Sequence, residues 1–159
     1  MKTSEILSYW EIFGPIYSAY FETNTQPMLY SLITNLKIYE ADKILELSVG
    51  GGKSLSVVCS MKKPDCQYTV TDLSENLLTI SYKRMEFIEK NFLGNLQFDP
   101  NSVDPNAKKI TKAEFPKSNV FMDVMNNEEL KFPDESFDMC FSNLSLQIVE
   151  NPDKMINES

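Results

Sequence analysis

Apolar positions at the start of the chain recur at steps of three and four, and further along they crowd into short runs. Ile6, Leu7, Trp10 and Phe13 share one helical face, and Gly14-Pro15 then punctuates it. After Pro27 a second face carries Met28, Leu29, Leu32, Ile33 and Leu36. Between them Ile16-Tyr17-Ser18-Ala19-Tyr20-Phe21 is aromatic and keeps no single period. The pattern predicts a helical cap over residues 1–40 and a separate unit over 41–159.

The second unit opens on a short apolar run. Lys43 to Val49 reads as a buried strand, and Gly50-Gly51-Gly52 follows it. A helix over Lys53 to Met61 would bury Leu55, Val58 and Cys59, with Lys62-Lys63-Pro64-Asp65 ending it. Gln67 to Thr71 is β-branched and aromatic, so a second strand is expected, ending at Asp72. Ser74 caps a longer helix whose buried face is Leu77, Leu78, Ser81, Met85, Ile88 and Phe92, with Gly94 at its end. Residues 95–118 are polar and carry Pro100, Pro105 and Pro116, which predicts an insertion or a mobile loop. A third strand is expected over Asn119–Val124, a turn at Pro133–Ser136 and a fourth strand over Phe137–Asn143. Pro152-Asp153 opens a last helix.

Strands alternating with helices predict an α/β fold around a parallel sheet. Such sheets bind ligands beyond the carboxyl ends of their strands. The residues to watch are therefore Ser48 to Gly52, Asp72, Asp123 and Asn143.

Composition narrows the chemistry. The 159 residues suit one domain, and 42% hydrophobic content suffices for a core. A net charge of -8 disfavours a nucleic-acid partner. The chain has no histidine, which removes Ser-His and Cys-His nucleophile pairs and most catalytic zinc sites. The first residues lack the apolar run of a secretory signal, and no stretch is long enough to span a membrane. Cys59, Cys66 and Cys140 form no C-x-x-C pair, and Cys59 and Cys140, set among apolar neighbours, read as small buried hydrophobes of a reducing compartment, so a cytoplasmic protein is expected.

Three of the five glycines sit together at Gly50-Gly51-Gly52. The plain reason is a tight strand-to-helix turn, and the sharper one is a ligand close to the backbone. Gly52-Lys53-Ser54 looks like the tail of a P-loop, but the required first glycine is Leu47, inside the strand. Asp72 and Asp123 would be imperfect magnesium ligands for that alternative. The other option is a nucleoside loop with an acid for ribose hydroxyls about 20 residues on. Gly52 to Asp72 is 20 residues, and Asp72 stands at a strand end, where a carboxylate can accept from a vicinal diol.

Residues 44–52, ILELSVGGG, resemble the E-x-G-x-G-x-G motif of class I S-adenosylmethionine-dependent methyltransferases. Thr71 to Leu78 resembles the family's second motif. Asp123 with Leu130 to Asp138 resembles the L-P-F-P-D-x-S-F-D stretch of the type 11 small-molecule branch, and Ser142 to Gln147 is similar to the segment that follows. The resemblance covers residues 43–153 and implies a Rossmann-like sheet of order 3-2-1-4, with residues 1–40 as a helical lid. It implies S-adenosylmethionine as cofactor and a small or carrier-bound acceptor. Glu46 would order the loop and hold the methionine ammonium. Ser48, Gly50 and Gly52 would let the backbone approach the methionine. Asp72 would bind the ribose and Leu73 flank the adenine. Asp123 would hold the adenine amino group, Val124 would pack on the ring, and Asn143 and Leu144 would line the sulfonium end. Tyr20 or Tyr17 would close over the site.

The sequence departs from that pattern in two places. Ser48 stands where the family has glycine, and a positive φ there would cost about 1 kcal/mol. Only 16 residues follow Asn143, so the family's strands 5–7 are expected to be missing. The fourth strand would then be an open edge, available for self-association or a partner. An inactive fold serving as a binding module, and less so a P-loop nucleotide binder, are the alternatives to a transferase. In-line methyl transfer needs chiefly proximity and alignment, so the motifs single out no general base.

Overall fold

The computed structural model describes residues 1–91 and 97–159. Phe92 and Gly94, expected in and after the long helix, lie outside the described residues.

The cap is one nearly continuous helical run. Helix α1 (Thr3–Ile16) passes through a π-helical turn, Tyr17–Phe21, into α2 (Glu22–Asn35). The break expected at Gly14-Pro15 does not occur. Proline removes the N–H that would bond the Glu11 carbonyl one turn back. That carbonyl instead accepts from Asn76 Nδ2 at 2.6 Å. A Cβ on Gly14 would stand 2.8 Å from Leu77 Cγ, so glycine lets α1 press onto the helix beneath it. Gly14-Pro15 therefore docks the cap and does not end it.

The remaining elements are β1 (Lys43–Leu47), α3 (Leu55–Met61), β2 (Gln67–Asp72), α4 (Glu75–Asn91), β3 (Lys112–Phe115), β4 (Val120–Val124), β5 (Met139–Ser142) and α5 (Pro152–Glu158). The sheet order is β3-β4-β2-β1-β5. The four central and right-hand strands, β4-β2-β1-β5, are parallel and follow the expected 3-2-1-4 order. The correction is β3, which pairs antiparallel with β4 inside the segment expected to be a loop. Lys112-Ala113-Glu114-Phe115 alternates polar and apolar positions over only four residues, too few to stand out by period. Its exposed charges suit an edge strand.

Along β1, Ile44 faces the larger core with Val58, Tyr68, Leu78 and Met85. Leu45 and Leu47 face the opposite side, where Met155 of α5 covers them with Phe132 and Phe137. This alternation gives a sheet covered on both faces, as parallel sheets require. It leaves the carboxyl ends of the strands pointing into one space under α1 and α2. Among the described residues no helix is long and apolar enough to cross a membrane.

Candidate functional site

That space is a cavity of about 270 Å³, walled by the ends of β1, β2, β4 and β5 and roofed by the cap. Its floor begins where β1 stops. Ser48 takes φ 57, the left-handed region expected to strain a non-glycine residue. Its Oγ accepts from Asn127 Nδ2 at 2.6 Å, which fixes the side chain in place. Gly50 and Gly52 follow with φ 60 and 80.

The glycines are packed closely by protein. A Cβ on Gly51 would lie 2.0 Å from Ser18 Oγ and 2.6 Å from Glu22 Oε2. The Gly51 N–H donates to Glu22 Oε1 at 2.9 Å. Ser18 Oγ donates to Glu22 Oε2 at 3.0 Å, and Arg84 Nη2 stands 3.3 Å from the same oxygen. Arg84 also donates from Nε to the Gly51 carbonyl at 2.5 Å. Cap, loop and α4 thus share one buried carboxylate–guanidinium clip. Burial pushes the Glu22 carboxyl above its ordinary range, and Arg84 pulls it back. Gly52 serves α4 as well, because a Cβ there would meet Leu55 Cδ1 at 2.6 Å and Ser81 Oγ at 2.8 Å.

Two further carboxylates face the cavity. Asp72 ends β2, with Oδ2 accepting from the Gly50 N–H at 2.8 Å and Oδ1 from the Ser74 N–H at 2.9 Å. Burial raises its pKa to about 7 against those two hydrogen bonds. Glu46, inside β1, accepts from Ser54 Oγ at 2.7 Å and from the Tyr68 hydroxyl. Burial raises it to about 7 as well, with Tyr68 and Ser54 opposing.

The opposite wall comes from β4 and β5. Pairing of β4 with β2 continues past Val124, since the Met125 N–H donates to the Asp72 carbonyl at 2.9 Å. The chain therefore leaves the sheet at Asn126, and Asn126, Asn127 and Glu128 line the cavity. Asn127 ties the walls together, accepting from Thr71 Oγ1 at 3.2 Å while donating to Ser48. Beyond β5, Asn143, Leu144, Ser145 and Ile148 complete that side, with Leu144 at φ 59.

The chain's relatives can be set against this geometry. A sequence model of a methyltransferase domain matches residues 102–159, the β3 to α5 part. A SAM-dependent methyltransferase from Aquifex aeolicus superposes with a TM-score of 0.58 at 14% identity, covering 99% of this chain and 65% of that one. The chain has a methyltransferase fold. YcgJ from Bacillus subtilis superposes at 0.55 with 15% identity, over 82% of this chain and 43% of its own. The cyclase SpnF superposes at 0.51 with 17% identity, over 73% and 33%. This chain spans between a third and two thirds of the length of these structures. No curated protein matches its sequence significantly. A cyclase among the neighbours also means that the methyltransferase fold alone does not name the reaction.

Of the residues singled out by the motifs, Glu46, Ser48, Gly50, Asp72, Leu73, Asn143 and Leu144 all line the cavity, as does Tyr17. Gly52, Asp123, Val124 and Tyr20 do not. Gly52 is turned to α4, as described. Asp123 lies within β4 opposite Lys112, whose Nζ is 3.7 Å from Asp123 Oδ2. Val124 precedes the strand's exit from the sheet. Tyr20, at 67% exposure, points to solvent from the π-helical turn, while Tyr17 faces inward toward Thr25. Glu22, Arg84, Asn126 and Asn127 belong to none of the motifs. Arg84 carried a signal: it falls with Ser81, Met85 and Ile88 on the apolar stripe of α4, where a charge needs a partner. Asn126-Asn127-Glu128 was a polar run directly after an apolar strand.

Proposed function

We propose that this chain binds S-adenosylmethionine in the cavity and serves methyl transfer to a small-molecule acceptor. The observation that carries the reading is the convergence of Asp72, Glu46 and the glycine loop at the carboxyl ends of adjacent parallel strands in one cavity. The donor set fits the cofactor. Each Asp72 oxygen accepts one backbone N–H, which leaves each a free lone pair for a ribose hydroxyl. Asn126 and Asn127 replace Asp123 and Val124 as the adenine-side residues, because they stand where β4 exits the sheet. Leu73 flanks the same side. Glu46, which lines the same cavity as Ser48 and Gly50, would serve the methionine ammonium. Asn143 and Leu144 border the sulfonium end. Bound there, the cofactor supplies an activated methyl group. The protein positions it and keeps water out with the apolar Ile6, Trp10, Leu77 and Ile148.

Calorimetry with S-adenosylmethionine and its demethylated product S-adenosylhomocysteine tests the reading. Both should bind the native chain, and Asp72→Ala should weaken both by about 100-fold, the order expected for losing two charge-assisted hydrogen bonds. No heat from either ligand, or an unchanged affinity in the variant, would overturn it.

A further inference from the structure

One chemically active side chain in the cavity wall has no part in the interactions described so far. Lys53 follows the glycine loop, is partly buried, and is the single cationic residue lining the cavity among the described residues. It also supplied the lysine of the P-loop-like tail. A P-loop role does not follow from its surroundings, because Leu47 is strand and the Ser54 hydroxyl is committed to Glu46.

The carboxylates sharing the glycine-loop end with Lys53 already have donors. Glu22 is held by Arg84, Ser18 and the Gly51 N–H. Glu46 is held by Ser54 and Tyr68, and Asp72 by two backbone N–H groups. Among the described residues Lys53 Nζ takes part in none of the ion pairs. An ammonium drawn out of water without a counter-ion is costly. Burial and the nearby Arg84 guanidinium accordingly lower its pKa, and Glu22 restores only part of it. A ligand carboxylate arriving at the glycine loop would meet the one cation that lines the cavity among the described residues, and that cation is in none of their ion pairs.

We propose that Lys53 is the carboxylate anchor of the cavity, pairing with the α-carboxylate at the amino-acid end of the ligand and selecting for ligands that carry it. The inference rests on the cofactor reading above. Glu46 and Lys53 line the same cavity, an acid and a base offered to the two charges of one α-amino acid group. The third charge of S-adenosylmethionine, its sulfonium, lies beyond that group along the same arm.

The test is a binding cycle on the full chain. S-adenosylmethionine and its decarboxylated analogue are titrated by calorimetry into the native protein, Lys53→Met and Lys53→Arg. 5′-Methylthioadenosine, which lacks the amino-acid arm, reports whether each variant keeps an intact adenosine site. The expected result is a coupling between lysine and carboxylate. Native protein prefers S-adenosylmethionine over the decarboxylated analogue at least tenfold. Lys53→Met loses at least tenfold for S-adenosylmethionine, keeps or gains affinity for the decarboxylated dication, and binds methylthioadenosine within twofold of native. Lys53→Arg retains most of the preference. Equal weakening of all ligands in Lys53→Met, or no change in any, would overturn the role of Lys53 while leaving the cofactor reading intact. Failure of the native chain to bind all of the ligands would overturn both.

Discussion

The two walls of the cavity are built by different means. The β1–β2 wall is local. Glu46, Ser48, Gly50 and Asp72 each sit at or just past the end of a strand, and the strands are adjacent and in register, with Glu46 opposite Val70 and Leu47 opposite Thr71. The β4–β5 wall depends on partners far along the chain. Its first residue is fixed by how far β4 keeps pairing with β2, and Asp123 is held within the sheet between β2 on one side and β3 on the other. A motif at the end of a strand names a site residue only if the strand ends where the motif supposes. On the first wall it does, and on the second β4 ends at Val124 as expected but Asp123 still pairs inside it, and one more ladder bond, from the Met125 N–H to the Asp72 carbonyl, carries the chain to Asn126 before it reaches the cavity.

The strongest way to disturb the first wall is to remove its clip. Glu22→Ala leaves the Arg84 guanidinium buried without its partner and frees the Gly51 N–H. Breaking a buried pair from one side costs about 3–5 kcal/mol. Denaturant unfolding should show a loss of that order, and the double variant Glu22→Leu with Arg84→Met should recover much of it. A single-variant loss below about 1 kcal/mol would mean that the cap does not hold the loop.

The second prediction concerns the buried carboxyls of the same wall. In the unfolded chain Glu46 loses its proton near its ordinary value of 4.5, and in the fold near 7. Between those values the folded state binds the extra proton, so stability falls as pH rises through that window. Below it the contribution is fully present. Glu46→Gln cannot ionise, so the difference in stability between native protein and variant should shift in the variant's favour from pH 4.5 to pH 7, by up to about 3 kcal/mol. Denaturant titrations at a series of pH values check this, and a difference that is flat with pH would place the charge on Glu46 throughout. Asp72, also raised to about 7, adds a slope of the same sign to both proteins, and the comparison removes all of it but the part that comes from its repulsion with Glu46.

What the sequence made legible follows the same division. The glycine turn and the strand-end acid Asp72 rest on neighbours within about two dozen residues, and pattern reads such distances, whereas the parallel core order, which joins Ile44 to Met139, is legible only through the family resemblance. The reason for Gly51 is not local either. The pattern offers a tight turn or room for a ligand as the reason for the loop glycines, yet the atoms that approach Gly51 are Ser18 and Glu22 of the cap. Nothing in residues 50–52 points to a helix about thirty positions upstream. The strand β3 escaped for a different reason, since four alternating residues after a proline-rich stretch carry too little period to separate them from a loop. Gly14-Pro15 misled because punctuation by composition assumes solvent on the far side, whereas here Asn76 replaces the missing hydrogen bond.

Asn127 joins the two walls, so its removal is the third test. Asn127→Ala deletes the donor to Ser48 and the acceptor for Thr71 and leaves both hydroxyls to find other partners. A loss of about 1–2 kcal/mol is expected for such a buried pair of bonds. Cofactor affinity should fall less than in Asp72→Ala. Adding Ser48→Gly to the variant should return part of the stability, because glycine relieves the left-handed backbone at φ 57 and no longer needs the anchoring bond. If the double variant is no more stable than Asn127→Ala, the strain at Ser48 is negligible.

The smallest expected effect gives the sharpest contrast between the walls. Asp72 and Asp123 are both acids in neighbouring strands, and the sequence offered both to the same ligand. Asp72 is buried at the cavity, whereas Asp123 is partly exposed and faces Lys112 across the β3–β4 ladder. An exposed pair at that separation is worth about 0–1 kcal/mol. Asp123→Ala should therefore leave S-adenosylhomocysteine affinity within twofold and shift unfolding by under about 1 kcal/mol. Asn126→Ala, three residues on, should weaken adenine-bearing ligands by several-fold while leaving the fold in place. The reverse ranking, with Asp123 mattering to the ligand and Asn126 not, would mean that β4 leaves the sheet earlier when ligand is bound and that the two walls are built alike after all.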